Sequence, residues 1–224
     1  MKAVILAAGV GVRMRPLTLN TPKPLINVAG YPLLHHLVKI LPDKISELVI
    51  VHGYLGEQIV KYCGEEFLGR KVSYVHQPEK TGTFDALRLS RKYLDDQPFA
   101  VLYSDDFIEK EALEKLVNHD LAAITTKVED PRRFGVVILN DDGTIKEIIE
   151  KPEVPPSNQI LVSGFILNNS IFDYPPKEAV KGELFLPVAV GNMAKEHKIY
   201  TVEAKTYIPV GVIEDIEKAE RLLS

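Results

Sequence analysis

The stretch Leu6–Leu25, LAAGVGVRMRPLTLNTPKPL, gathers the residues of this chain best suited to holding phosphate. Gly9 and Gly11 can adopt positive φ and let the backbone come close to a ligand, so that several N–H groups turn toward one anion. Arg13 and Arg15 follow at once, and Lys23 stands between Pro22 and Pro24 in a stiff segment that reads as extended. An arginine fork and a lysine point charge beside a loop of free N–H groups make a polyphosphate site. Two common phosphate loops are excluded. A dinucleotide loop would need a third glycine at position 14, where Met14 stands, and a Walker loop would need Gly-Lys-Ser/Thr. A solvated basic turn is the plainer alternative, and Arg15 reads equally well that way.

The elements around this stretch must place it at the end of a sheet. Lys2–Ala8 is a continuous apolar run ending in glycine, the pattern of a strand buried on both faces. Strand signals recur at Glu47–Gly53, Lys71–Gln77 and Phe99–Asp106, the last ending in two acids. Between them lie helical segments beginning near Tyr31, Gly56 and Thr83, with Pro32 suited to a first turn. This alternation predicts an α/β fold: a Rossmann-like, doubly wound, mainly parallel mixed sheet with helices on both faces. Beyond it, Phe134–Lys151 reads as a hairpin around Asp-Asp-Gly, Ile160–Asn169 as a strand, and the proline-rich turn near Pro175 as leading into a helix. Another strand and the helix Glu214–Leu223 close the chain, extending the same sheet. Ligands of such sheets bind beyond the carboxyl ends of the strands, which is where the glycine loop sits.

With 224 residues, 46% of them hydrophobic and 26% charged, the chain is expected to form one domain, 1–224. A net charge of -4 excludes a broad basic footprint for nucleic acid but allows a local basic pocket. Cys63 is the sole cysteine, so no internal disulfide forms. A reducing cytoplasm is the expected compartment, and a small structural residue the expected role. No apolar run reaches the length of a membrane span.

The combined string LAAGVGVRMRPLT…PKPL resembles the signature of the sugar-1-phosphate nucleotidylyltransferases, the nucleotide-sugar pyrophosphorylases, and the resemblance runs along nearly the whole chain. It implies the nucleotide-diphospho-sugar transferase fold, with Leu6, Ala8, Gly9 and Gly11 at the nucleotide. HQPEKTGTFDAL resembles the nucleobase segment and maps Gln77 and Gly82 onto base contacts; VLYSDD maps Asp105 onto a metal-binding acid that also touches the nucleotide. DPRRFGVV maps Gly135 onto the sugar segment. EIIEKP maps Glu150 onto the sugar and Lys151 onto its phosphate, and LVSGFIL maps Val162 and Gly164 onto the segment closing over the sugar. The residues also have plainer readings. Asp105 and Asp106 could cap a helix starting near Ile108, and in a strand only one of them could face the site. Glu150 and Lys151 could end a solvated hairpin, and Gly135 and Gly164 could be strand kinks. His35, His36 and His52 lack metal-ligand spacing and read as structural.

The family reaction joins a nucleoside triphosphate and a sugar 1-phosphate, with Mg²⁺, by in-line attack on the α-phosphate. It implies Arg13 at the leaving phosphates, Lys23 at the α-phosphate and Lys151 at the sugar phosphate. The base segment resembles that of UTP- and dTTP-using members, with Phe84 reshaping its wall, and GTP users share much of the pattern. A hexose 1-phosphate fits the retained sugar motifs better than an alcohol phosphate. The departures lie elsewhere. The family ends in Trp-X-Asp-X-Gly, whose Asp is the second Mg²⁺ ligand; here Tyr207 and Gly211 stand for Trp and Gly, and Pro209 occupies the Asp position. Asp106, Glu214 or Asp215 would have to supply the missing acid. Val12 removes a loop hydroxyl, and the C-terminal left-handed β-helix of many relatives is not expected in these 224 residues. The expectations are therefore an active enzyme with a one-carboxylate metal site or, alternatively, a catalytically weak relative that senses nucleotide or NDP-sugar.

Overall fold

The computed structural model describes residues 1–180 and 182–223, leaving Lys181 of the proline-rich turn and the terminal Ser224 outside it. The apolar run Lys2–Ala7 is strand β1, with five of its six residues buried. A short hairpin, β2 (Asn27–Val28) and β3 (Tyr31–Pro32), leads into α1 (Leu33–Lys39), so Pro32 stands one residue ahead of the first turn, at the N-cap. Then follow β4 (Glu47–His52), α2 (Gly56–Cys63), β5 (Glu66–Phe67), β6 (Arg70–His76), α3 (Thr83–Leu89) and β7 (Phe99–Tyr103). β1 lies between β4 and β7, parallel to both, and β4 is parallel to β6. This is the predicted doubly wound half.

The second half comprises β8 (Asp106–Ile108), α4 (Lys110–Leu116), β9 (Ala122–Lys127), β10 (Gly135–Leu139), β11 (Ile145–Glu150) and β12 (Gln159–Leu167). It ends with α5 (Leu186–Met193), β13 (Tyr200–Glu203), β14 (Tyr207–Pro209) and α6 (Glu214–Leu223). The ten-stranded sheet runs β11-β10-β12-β7-β1-β4-β6-β5, and β9 pairs with β12 and carries β13. Here the pairing turns antiparallel except for β9–β13, because the β10–β11 hairpin reverses the chain locally and β12 enters against β7.

Strand alternation divides the core. Ala3, Ile5 and Ala7 of β1 face α1, α2 and α4, whereas Val4 and Leu6 face α3 and α5. Cys63 is buried in the first of these layers, and burial pushes its thiol up to about 12. It therefore holds no thiolate at neutral pH and packs as a small apolar residue. A third, smaller core lies beneath the glycine loop, where Met14, Ile26, Val28 and Leu33 meet Phe107, Val210 and Ala219. Met14 is fully buried there, so the position a dinucleotide loop would give to glycine serves here as the loop's anchor. Among the described residues no helix is long and apolar enough to cross a membrane.

Candidate active site

The loop after β1 is built for close approach. Gly11 adopts φ 67 and opens the short 3₁₀ turn Val12–Met14, and the Thr18 hydroxyl donates to its carbonyl at 2.8 Å. A Cβ at Gly11 would lie 2.9 Å from Thr18 Cγ2 and 3.1 Å from Lys23 Cβ. Gly11 thus shapes the loop without lining the cavity beside it. Gly9 does line it. Lys23 is not extended as read from sequence: Pro22 is, and Lys23–Leu25 then forms a 3₁₀ turn. That turn directs the Lys23 ammonium inward, where its side chain is 12% exposed and pairs with Asp105.

At the far end of this cavity, the Gln77 side-chain amide donates to Thr81 Oγ1 and the Gly82 carbonyl, both at 3.2 Å. With its nitrogen so engaged, the side-chain carbonyl is left as an acceptor. The loop beyond is held from the other half of the chain. Leu184 N–H donates to the Thr81 carbonyl at 2.8 Å, Phe84 N–H to the Leu184 carbonyl at 2.9 Å, and Leu186 N–H to Thr83 Oγ1 at 2.8 Å. Leu6, Ala8, Gly9, Lys23, Gln77, Gly82 and Asp105, all predicted for the nucleotide, therefore share one cavity. Sequence reasoning missed Lys80 and Glu183 there, whose ion pair (2.7 Å) spans two loops. Lys80 lies within the HQPEKTGTFDAL string, and Glu183 carries no local signal.

A second cavity adjoins the first, and Lys23, Thr83, Tyr103, Asp105 and Glu183 border both. Arg13, Gly135, Glu150, Lys151 and Val162 line it, as does Arg133, which was not singled out from sequence. Glu150 does not end a solvated hairpin. Its side chain is 7% exposed, Oε1 lies 3.0 Å from Lys151 Nζ, and Oε2 is buried with no hydrogen-bond partner among the described residues. Across the β10–β11 ladder stands Gly135, where a Cβ would come within 3.1 Å of that free oxygen. Lys151 stands 4.0 Å above the Phe185 ring, a cation–π contact that holds the ammonium at the cavity rim. Gly164 does not line the cavity. At φ 132, where a Cβ would meet Ile124 Cδ1 at 2.6 Å, it is the kink of β12, in the register break between Leu161 and Phe165.

The two acids depart from the strand rule. β7 ends at Tyr103, Ser104 and Asp105 turn, and Asp106 opens β8, so alternation does not apply and both carboxylates border the second cavity. Neither caps a helix, because α4 begins at Lys110 behind Glu109. Asp106 is held well above the ordinary carboxylate range, first by burial and then by the neighbouring Asp105, while Lys23 pulls the other way. A raised carboxyl penalises the fold only where it must ionise. The penalty is absent below the unfolded value of about pH 4 and grows as pH rises toward the folded one. Asp106→Asn is accordingly expected to raise the thermal midpoint at pH 7 and to leave it unchanged at pH 3.5. A gain of equal size at both pH values would assign the effect to packing instead.

Pro209 sits directly opposite Asp106 in the β8–β14 pair and borders the same cavity, with no side-chain donor to offer. Asp215 does not take over, since its Oδ2 accepts from the Gly211 and Val212 N–H groups at 3.0 and 3.1 Å. Among the described residues no three His, Cys, Asp or Glu side chains converge. The hard donors at hand are the carboxylates of Asp105 and Asp106, which suit a cation that fills its shell from ligand phosphates and water.

The family model described as nucleotidyl transferase matches residues 2–223. The chain is 35% identical over 226 residues to the bifunctional protein GlmU of Methanocaldococcus jannaschii, covering 100% of this chain and 54% of that protein. It is 32% identical over 240 residues to the UTP–glucose-1-phosphate uridylyltransferase AglF of Haloferax volcanii, covering 100% and 96%. It spans about half the length of several curated relatives it matches. A Bacillus anthracis structure described as a glucose-1-phosphate thymidylyltransferase, in complex with sucrose, superposes with a TM-score of 0.87 at 26% identity over 99% of this chain and 94% of that one. The fold is that of the nucleotide-diphospho-sugar transferases. With a match from the first strand to the last helix, the chain belongs to the nucleotidyl transferase family.

Proposed function

We propose that this protein joins a nucleoside triphosphate to a hexose 1-phosphate, giving an NDP-sugar and pyrophosphate. The observation that carries this reading is the pair of adjoining cavities meeting at Lys23 and Asp105. One holds the glycine loop and the Gln77 amide. The other holds an ammonium, Lys151, and a buried carboxylate oxygen of Glu150 that lacks a donor among the described residues. A sugar hydroxyl supplies that donor, and a uracil or thymine N–H suits the free carbonyl of Gln77.

The sugar phosphate oxygen attacks the α-phosphorus in line, the bond from that phosphorus to the bridging oxygen breaks, and pyrophosphate leaves with the electron pair. Lys23 lies at the junction where the two phosphates must meet, and Lys151 holds the incoming one. Positioning and neutralisation of crowded charge then account for catalysis, without a covalent enzyme intermediate. Asp105, with Asp106 beside it, would hold Mg²⁺, which when bound offsets phosphate charge.

The deciding assay is pyrophosphate release from a panel of UTP, dTTP and GTP with hexose 1-phosphates. Turnover with a uridine or thymidine triphosphate is expected. Tight nucleotide binding without turnover of any pair would favour the sensing role, for which Pro209 is the supporting observation. Pro209→Asp would place a carboxylate across from Asp106 and is expected to lower the Mg²⁺ concentration for half-maximal rate several-fold. An unchanged Mg²⁺ requirement would show that position 209 does not face the ion.

A further inference from the structure

The second cavity continues into a groove lined by Arg13 and Arg133, by the Tyr207–Gly211 segment, and by Asp215 and Lys218. The two arginines reach it from distant parts of the chain, the loop after β1 and the turn before β10. Neither makes a hydrogen bond or an ion pair among the described residues, although acids lie near. Asp130 is taken up by Arg132, through contacts of 2.8 and 2.7 Å, and Asp215 by two backbone N–H groups and Lys218. In the Tyr207–Gly211 segment, Pro209 brings no charge where an acid would neutralise the arginines. Gly211 leaves room for Arg13, whose guanidinium would stand 3.2 Å from a Cβ at that position.

Resting on the reaction proposed above, in which Arg13 serves the leaving phosphates, we infer that Arg133 is a second pyrophosphate-binding residue, holding the leaving group in this groove together with Arg13. Two guanidiniums that line one groove, with no ion pair among the described residues, match an anion with phosphate oxygens on both ends, because each fork can take two oxygens at once. Lys151, assigned above to the incoming sugar phosphate, borders the second cavity together with both arginines but does not line this groove. The attacking and leaving groups of an in-line displacement lie on opposite sides of the phosphorus, and the separation of Lys151 from the groove fits that requirement.

The reverse reaction tests this, because there pyrophosphate is a substrate. In Arg133→Ala the KM for pyrophosphate is expected to rise tenfold or more, while the KM for NDP-sugar changes less than about twofold and Arg133→Lys recovers part of the loss. The same variant should weaken inhibition of the forward reaction by added pyrophosphate. An unchanged pyrophosphate KM, or a rise confined to NDP-sugar, would overturn the assignment. If the wild-type protein turns over no substrate pair, the proposed reaction fails, and calorimetric titration with pyrophosphate alone judges the groove. Binding that is lost in Arg133→Ala supports it, and equal binding in both proteins overturns it.

Discussion

Replacing Lys23 by alanine is expected to lower turnover about 100-fold, roughly 2.7 kcal/mol of barrier. The side chain is 12% exposed, stands where the two cavities join and is paired with Asp105. Its removal acts twice. The reacting phosphates lose a cation held in place before they arrive. The Asp105 carboxylate also loses the ammonium it is paired with, so it repels the incoming anions. Lys23→Arg should rescue little, because a planar fork does not fit a seat shaped for an ammonium. Steady-state pyrophosphate release, beside a denaturation curve showing that the variant is folded, measures the effect. A rate within threefold of wild type would remove Lys23 from the mechanism.

The second large effect is structural. Gly82→Ala would place a methyl group 2.3 Å from the Leu184 carbonyl oxygen and 2.5 Å from its nitrogen, at φ 107. These are backbone atoms and cannot rotate aside as a side chain can. The 183–186 segment would have to lift, breaking the hydrogen bonds that join it to Thr81, Thr83 and Phe84. Strain at such a φ and a steric displacement together cost about 3–5 kcal/mol. Urea denaturation should show that loss, and thermal protection by nucleotide should disappear with it. Gly9→Ala is the control, since a Cβ there meets nothing within 4 Å. It should fold normally, so any fall in nucleotide affinity would come from contact with the ligand. Wild-type stability and retained protection in Gly82→Ala would show that the loop does not depend on this close approach.

Both predictions turn on contacts between segments far apart in the chain, and that is where legibility in the sequence ends. The central strand, the glycine loop after it, the β10–β11 hairpin and the alternation of the first half could all be read from the residues. Each is governed by short-range sterics or by burial along a single element. That the motif residues would gather in one cavity could be read too, because they cluster in short strings at strand ends, and strand ends of a parallel sheet converge by construction. Gly11 and Gly164 belonged to the right strings, but their φ values serve a turn and a kink behind the site. A motif match does not separate lining from support.

Other features were settled by packing. Lys23 and Asp105 pair across 82 residues of sequence, and Glu183 reaches the cavity beside the glycine loop from a loop with no motif of its own. Arg13 and Arg133 face one groove only because the β8–β14 pair and the small core around Met14 set the loop against the hairpin. The strand rule failed at Asp105 and Asp106 because a turn ended the strand at Tyr103, and no local pattern announced it. Residue types and spacing by themselves pointed to phosphate at the end of β1 and to the side chains that could serve it. Which of those side chains keep a free charge for the ligand, and which are consumed by neighbours, only the tertiary structure decided. A charge is neutralised by whatever lies within a few ångströms, and sequence distance does not measure that.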